Sequence, residues 1–250
     1  IMSDVKRALT VRVIVQMTLV VFVAPLIPMI ISGQWDWWQA WAYAIASTLS
    51  FIISRILAGR RHPDLIAERA RFMEAKDTKP WDKILAPLLG IGSILIMVVA
   101  GLDKYYGWSP AFSINANIIG LVGIVLGYGF SSWALIENRF FSGTVRIQYE
   151  RGHHVVTTGP YRFVRHPGYA GGMLGYIFIP IVLDSLWAFA PAVLLGVVMI
   201  IRTALEDKTL QAELPGYKEF AQKTRYRLFP GIWSEEARAS ILPLLLLEKK

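Results

Sequence analysis

The chain contains no cysteine. Disulfides, thiolate zinc sites, iron–sulfur clusters and a cysteine nucleophile are therefore excluded together, and the redox compartment is left open. Histidine is scarce, at 4 of 250 residues, and only 18% of the residues are charged. No cleavable leader is evident. The first apolar run, Val13 to Ile31, is too long for a leader core and lacks a small-residue cleavage site, so it reads as a retained span. Gly90-Ile-Gly92 has neither a third glycine nor a preceding strand, which rules out a dinucleotide-binding fingerprint there. Low-complexity tracts and internal repeats are also missing.

Apolar sequence takes their place: 54% of the residues are hydrophobic and the mean hydropathy is positive. That is too apolar for an ordinary soluble domain, and a bilayer is the expected solvent. The formal charge of +8 then marks loops facing anionic lipid heads, with no nucleic-acid partner expected.

A helix needs about 20 residues to cross the hydrocarbon core, because each backbone polar group must be satisfied within the segment. Runs at 11–32, 37–58, 84–103 and 114–136 meet that length, and Pro25 and Pro28 should kink the first. A fifth region, 168–205, is too long for one helix and is interrupted at Asp184-Ser185, so it reads as a hairpin of two spans. The expected fold is an all-α polytopic transmembrane bundle of about six spans. If both termini are cytoplasmic, Lys104 alone of the 26 basic residues falls on the far side. The opposite loops, around Asp36, Asp103 and Asp184, are short and acidic. Most of the Trp residues lie near span ends, as interfacial belts do.

Soluble chemistry must then sit on the basic side. Residues 60–83 begin with Pro63 at a first helical position and Asp64 in the first turn, and predict an interfacial helix. Residues 139–167 are longer than a turn requires, and 206–238 predict a charged tail with an amphipathic helix broken at Pro215-Gly216. The expected division is 1–140 as N-terminal spans, 141–238 as a functional region and 239–250 as a tail.

The most informative stretch runs from Thr158 to Gly172 and contains Gly159-Pro160-Tyr161 and Arg165-His166-Pro167. Pro167 suits a helix start and should leave the following amides facing the loop, where Arg165 and His166 could join them in holding a carboxylate or phosphate. Gly168, Gly171 and Gly172 leave room for close approach. Arg61-His62-Pro63 repeats the tripeptide as an ordinary helix start, so three residues alone carry little. At the end of the last span, Arg202 and Glu206 share one helix face. They could form a surface ion pair or, if the hairpin is tight, place a carboxylate by the 159–172 loop. His153 and His154 have no carboxylate at ligand spacing, so no metal is expected. Gly123-x-x-x-Gly127 is a helix-packing spacing.

Across residues 145–232 these features resemble the isoprenylcysteine carboxyl methyltransferase family and the related membrane phospholipid methyltransferases. Gly159-Pro160-Tyr161, Arg165-His166-Pro167, the hairpin, Arg202 with Glu206, Gly216-Tyr217 and Leu228-Phe229-Pro230 carry the likeness. It implies that C-terminal cytoplasmic helices and loops enclose S-adenosylmethionine without a Rossmann domain. Gly159, Pro160, Tyr161, Arg165, His166, Pro167, Tyr169 and Gly172 would bind the cofactor; Glu206 and Arg202 would be catalytic. The acceptor would be a lipid-like or prenylated molecule, methylated on a carboxyl oxygen or a lipid amine. The family's eukaryotic enzymes carry a longer acidic run than Leu205-Glu206-Asp207, a departure that counts against a prenylated-protein acceptor. The expected location is the cytoplasmic membrane of a prokaryote. Two alternatives stand beside this reading: a non-catalytic membrane transporter or scaffold, and a membrane reductase using a nicotinamide cofactor.

Overall fold

The computed structural model describes residues 18–70 and 77–234. The chain enters through a π-helical turn, Leu19–Val23, and a 3-10 turn, Ala24–Leu26, before settling into α1, Ile27–Ser32. The irregular winding falls around Pro25 and Pro28, each of which removes a backbone donor and crowds the preceding turn. Residues 11–17 of the expected first span lie outside the described residues.

Among the described residues, four helices are long and apolar enough to cross a membrane: α2 (Trp38–Arg61), α4 (Asp82–Tyr106), α5 (Ile114–Glu137) and α7 (Phe189–Glu213). Two apolar stretches are shorter, Leu19–Ser32 and α6, Pro167–Val182. At 16 residues α6 is about 24 Å long, less than the roughly 30 Å hydrocarbon core. The expected reversal between spans lies between α6 and α7, where Asp184 takes a left-handed backbone (φ 50°). Helix α3, Pro63–Ala70, begins at the predicted proline with Asp64 in its first turn. Residues 71–76 of the predicted interfacial helix lie outside the described residues, as does the 239–250 tail. Beyond α7 the chain breaks at Leu214-Pro215-Gly216 and forms α8 (Tyr217–Lys223). An antiparallel hairpin follows, β1 (Tyr226–Phe229) with β2 (Ile232–Ser234), which the helical pattern of the sequence did not announce.

Helices α5 and α6 pack most extensively. A Cβ on Gly127 would come 2.8 Å from the Gly171 carbonyl oxygen, and one on Gly171 would come 2.3 Å from that of Gly127. The Gly123-x-x-x-Gly127 spacing is therefore a device for close backbone approach. Outward faces of the long helices are apolar, with Ile45, Leu49, Ile53 and Ile56 on α2 all exposed. At the acidic end, Trp35, Trp38, Trp41, Tyr105, Tyr106, Trp108 and Trp187 form an exposed aromatic rim, the pattern of a membrane interface.

The acids at this end are not all surface charge. Asp103 and Asp184 are buried acceptors. Asp184 takes hydrogen bonds from Asn117 Nδ2 (2.8 Å), Gln39 Nε2 (2.9 Å) and the Phe112 amide (3.0 Å). Asp103 takes them from the amide and hydroxyl of Ser109 and from Ser185 Oγ. Buried carboxylates persist only when their oxygens are satisfied, and these two tie the α4–α5 and α6–α7 turns together.

Candidate functional site

The connection between α5 and α6 would be costly to order without anchors, and buried ion pairs provide them. Asp82 starts α4 and is fully buried. It receives Arg202 Nε at 2.7 Å and Nη2 at 3.0 Å, while its Oδ2 also accepts the Val145 amide at 2.6 Å. Arg202 further donates to the Gly143 carbonyl at 3.1 Å. Arg146 meets Glu150 (2.7 Å), Asp77 (2.9 Å) and Glu68 (3.0 Å). Arg151 and Arg139 both reach Asp64, at 2.6 and 2.8 Å. Burial alone would raise the Asp64 carboxyl, and hydrogen bonds from Arg151 and Arg139 hold it below its ordinary value. Helix α3 thus offers acids that fix the loop.

A second anchor is centred on Asp207, which is wholly buried. Arg165 approaches it side-on, Nε to Oδ1 at 2.7 Å and Nη2 to Oδ2 at 3.0 Å. Arg227 Nε (2.9 Å), Gln211 Nε2 (3.0 Å) and Tyr217 Oη (3.2 Å) also donate to this carboxylate, and His166 Nε2 lies 3.3 Å away. Arg165 Nη1 donates to the carbonyls of Ala221, Thr224 and Arg225, and the amides of Arg165 and His166 pair with the Tyr226 and Arg227 carbonyls of β1. One carboxylate therefore joins the 159–167 loop, α7, α8 and the hairpin. Burial, then the charge of Asp207, pushes the Tyr217 hydroxyl well above its usual value, so it remains a donor.

Between these anchors opens a cleft of about 780 Å³, counting the open space at its mouth. Its walls are aromatic: Phe140, Phe141, Tyr161, Tyr169, Tyr217 and Phe220. Its polar groups include His166 and Glu206. The rings of His166 and Tyr169 stack with centroids 5.8 Å apart and planes 3° from parallel, and the Tyr169 hydroxyl donates to Glu206 Oε2. The Arg202 guanidinium lies 5.1 Å from the Tyr169 ring centre. Burial, opposed by the Asn138 hydrogen bond and joined by the charge of Glu206, raises the Tyr161 hydroxyl.

Of the residues singled out from sequence, Tyr161, Arg165, His166, Tyr169 and Glu206 line the cleft; Gly159, Pro160, Pro167, Gly172 and Arg202 are not part of its lining. Gly159 is left-handed (φ +59°), and a Cβ there would lie 2.8 Å from Glu137 Cγ. Gly168, not Gly172, admits a neighbour: its Cβ would come 2.5 Å from the Phe141 ring. Three expectations are revised. Arg202 and Glu206 do not pair; Asp82 takes the arginine and Tyr169 the carboxylate. Arg165 holds Asp207 and three carbonyls, so it faces inward as an anchor. The Tyr169 and Ala170 amides both donate to the His166 carbonyl, which removes them from an anion site. Asp207 and Asp82 were missed. Asp207 was legible in part, since Met199, Thr203 and Asp207 recur every four residues and share a buried face. Nothing local marks Asp82.

Residues 116–214 match the phospholipid methyltransferase family. A rice protein (Oryza sativa subsp. indica) described as "Probable protein-S-isoprenylcysteine O-methyltransferase" is 37% identical over 59 residues, 23% of this chain and 31% of its own. Protein-S-isoprenylcysteine O-methyltransferase A of Arabidopsis thaliana is 34% identical over 93 residues, 36% of this chain and 43% of its own. The cobalt-zinc-cadmium resistance protein CzcN of Cupriavidus metallidurans is 29% identical over 109 residues, 42% and 45% respectively. The chain thus matches under half the length of each of these curated relatives. These matches bear out the likeness to the isoprenylcysteine carboxyl methyltransferase family and the related phospholipid methyltransferases.

Proposed function

We propose that the protein is an integral membrane methyltransferase that uses S-adenosylmethionine and methylates an amphiphilic acceptor. The observation that carries this reading is the convergence of His166, Tyr169 and Glu206 on one aromatic cleft at the basic ends of α6 and α7, inside the family-matched region. The cleft suits the cofactor chemically. Electron-rich tyrosine faces favour a sulfonium cation. Bound there, S-adenosylmethionine supplies an activated methyl group with a neutral leaving sulfide.

The chain's own work is positional. Tyr161, His166 and Tyr169 would line the cofactor space, and the Asp207 and Asp82 anchors hold them still. Fixing two reactants in line can supply about 7–11 kcal/mol of the barrier. A carboxylate acceptor is ionised already; for an amine acceptor, Glu206 takes the departing proton. Arg202 acts from behind Tyr169. In the membrane, the chain has both termini cytoplasmic and crosses six times, counting the stretch that contains Leu19–Ser32 and the short α6, and the acceptor's tail stays in the bilayer while its head reaches the cleft.

Calorimetry of the purified protein with S-adenosylmethionine, with NADPH as control, tests the cofactor. Saturable binding of the first alone is expected, and preference for NADPH would favour a reductase. Glu206→Gln should then lower methyl transfer to an amine lipid by about 100-fold or more while leaving cofactor affinity nearly unchanged. Unchanged turnover would remove Glu206 from the mechanism.

A further inference from the structure

Most arginines at the basic end of the bundle have carboxylate partners, but two half-buried ones have none among the described residues. Arg55, in the last third of α2, donates to Ser54 Oγ at 3.4 Å and lies 4.4 Å from the Phe51 ring centre. Arg69, on α3, donates to the Phe141 carbonyl at 3.1 Å and lies 5.4 Å from that ring centre. Each guanidinium carries five N–H donors, so most of this capacity is open. The charge that bears on Arg55 is Arg69, another cation, and the charge that bears on Arg69 includes Arg202. Burial and Arg202 lower Arg69 to about 10, which still leaves it charged at neutral pH. Helix α3 packs on the end of α2, where a Cβ on Gly59 would lie 3.2 Å from Ile66 Cγ1, and Arg55 and Arg69 each lie one turn beyond that contact. Two half-buried like charges on adjoining turns without a counter-ion are unfavourable, and an anion would relieve both.

The surroundings indicate how such an anion arrives. Ile53, Ile56 and Leu57, which flank Arg55 on α2, are exposed and apolar, an acyl-chain surface rather than an aqueous one. Ionisable groups at this depth are costly unless they serve a ligand. Arginine also suits phosphate better than lysine does, because its planar fork donates two parallel hydrogen bonds. We propose that Arg55 and Arg69 form a binding site for a phosphate-type anion, presented as the head group of an anionic lipid lying along α2. The site is separate from the cleft but touches its wall, since Phe141 contacts Arg69 on one side and Gly168 on the other. It does not depend on the methyltransferase reading.

The test is thermal unfolding of the full chain in phosphatidylcholine nanodiscs containing or lacking phosphatidylglycerol, with inorganic phosphate as a separate addition. Phosphatidylglycerol should raise the melting temperature, and Arg55→Gln and Arg69→Gln should each weaken the lipid's apparent affinity by about tenfold or more. Arg60→Gln, one residue short of the end of α2 and exposed, makes the same charge change and should behave as wild type. A shift with phosphatidylglycerol alone identifies a lipid head; an equal shift with inorganic phosphate identifies a soluble anion at the same site. Equal loss in Arg60→Gln, or no response to either anion, would overturn the proposal. Should Arg69→Gln fail to fold, Arg55→Gln against Arg60→Gln carries the comparison alone.

Discussion

Arg61-His62-Pro63 and Arg165-His166-Pro167 are the same three residues, and in each case the proline opens a helix. Their arginines have different fates. Arg61, whose side chain is 52% exposed, meets Glu137 at 2.9 Å. Arg165, at 0%, is enclosed with Asp207. The histidines differ likewise: His166 stacks on Tyr169 and faces the cleft, whereas His62 caps the short turn into α3 with its carbonyl. A tripeptide sets a local turn; what it does there is decided by which distant carboxylate the fold delivers.

Exchanging each arginine should separate the two sites most widely. Arg165→Gln strands Asp207 beside Arg227 and should destabilise the protein by about 3–5 kcal/mol, whereas Arg61→Gln removes a largely exposed pair worth about 0–1 kcal/mol. Thermal unfolding in one detergent measures both, and similar losses would erase the distinction. The histidines come next. His166→Ala should weaken S-adenosylmethionine binding by about 1.5–3 kcal/mol and His62→Ala should not, as read by calorimetry. Equal affinities would detach the second tripeptide from the cofactor.

The smallest expected effect concerns His153, a histidine outside both tripeptides that also lines the cleft. Burial, aided by the charges of His154, Arg151 and Arg146, pushes His153 down to about 4 from 6.5. The unfolded chain takes up a proton near pH 6.5 and the folded chain only near 4, so this group leaves stability flat above about 6.5 and lowers it as pH falls toward 4. Melting temperature against pH should therefore drop less in His153→Gln than in wild type across that window. Identical slopes would show that His153 is not the group responsible.

Much of the fold was written locally. Hydropathy runs located the long helices, Asp184-Ser185 located the reversal, and Pro63 and Pro167 located helix starts, because each depends on neighbouring residues only. The cleft was half legible. Tyr161, His166, Tyr169 and Glu206 could be drawn together because a hairpin must juxtapose its ends. Asp82, 120 residues from Arg202, could not, since that pair exists only once α4 packs on α7. Nor could the three carbonyls that take up Arg165, which reach it only once α8 and the segment after it fold against the 159–167 loop. The hairpin after Thr224 was hidden for a similar reason: its first strand is held by the backbone of Arg165 and His166 as much as by its own partner.

That strand sets an order of events in synthesis. Arg227 and the carbonyls of Thr224, Arg225 and Tyr226 complete the surroundings of Arg165 and Asp207. They are synthesised after the six apolar helical stretches described above. A nascent chain can therefore place its helices in the bilayer while the cleft is still unformed. The site closes when β1 and the residues just before it fold back onto the loop made some sixty residues earlier.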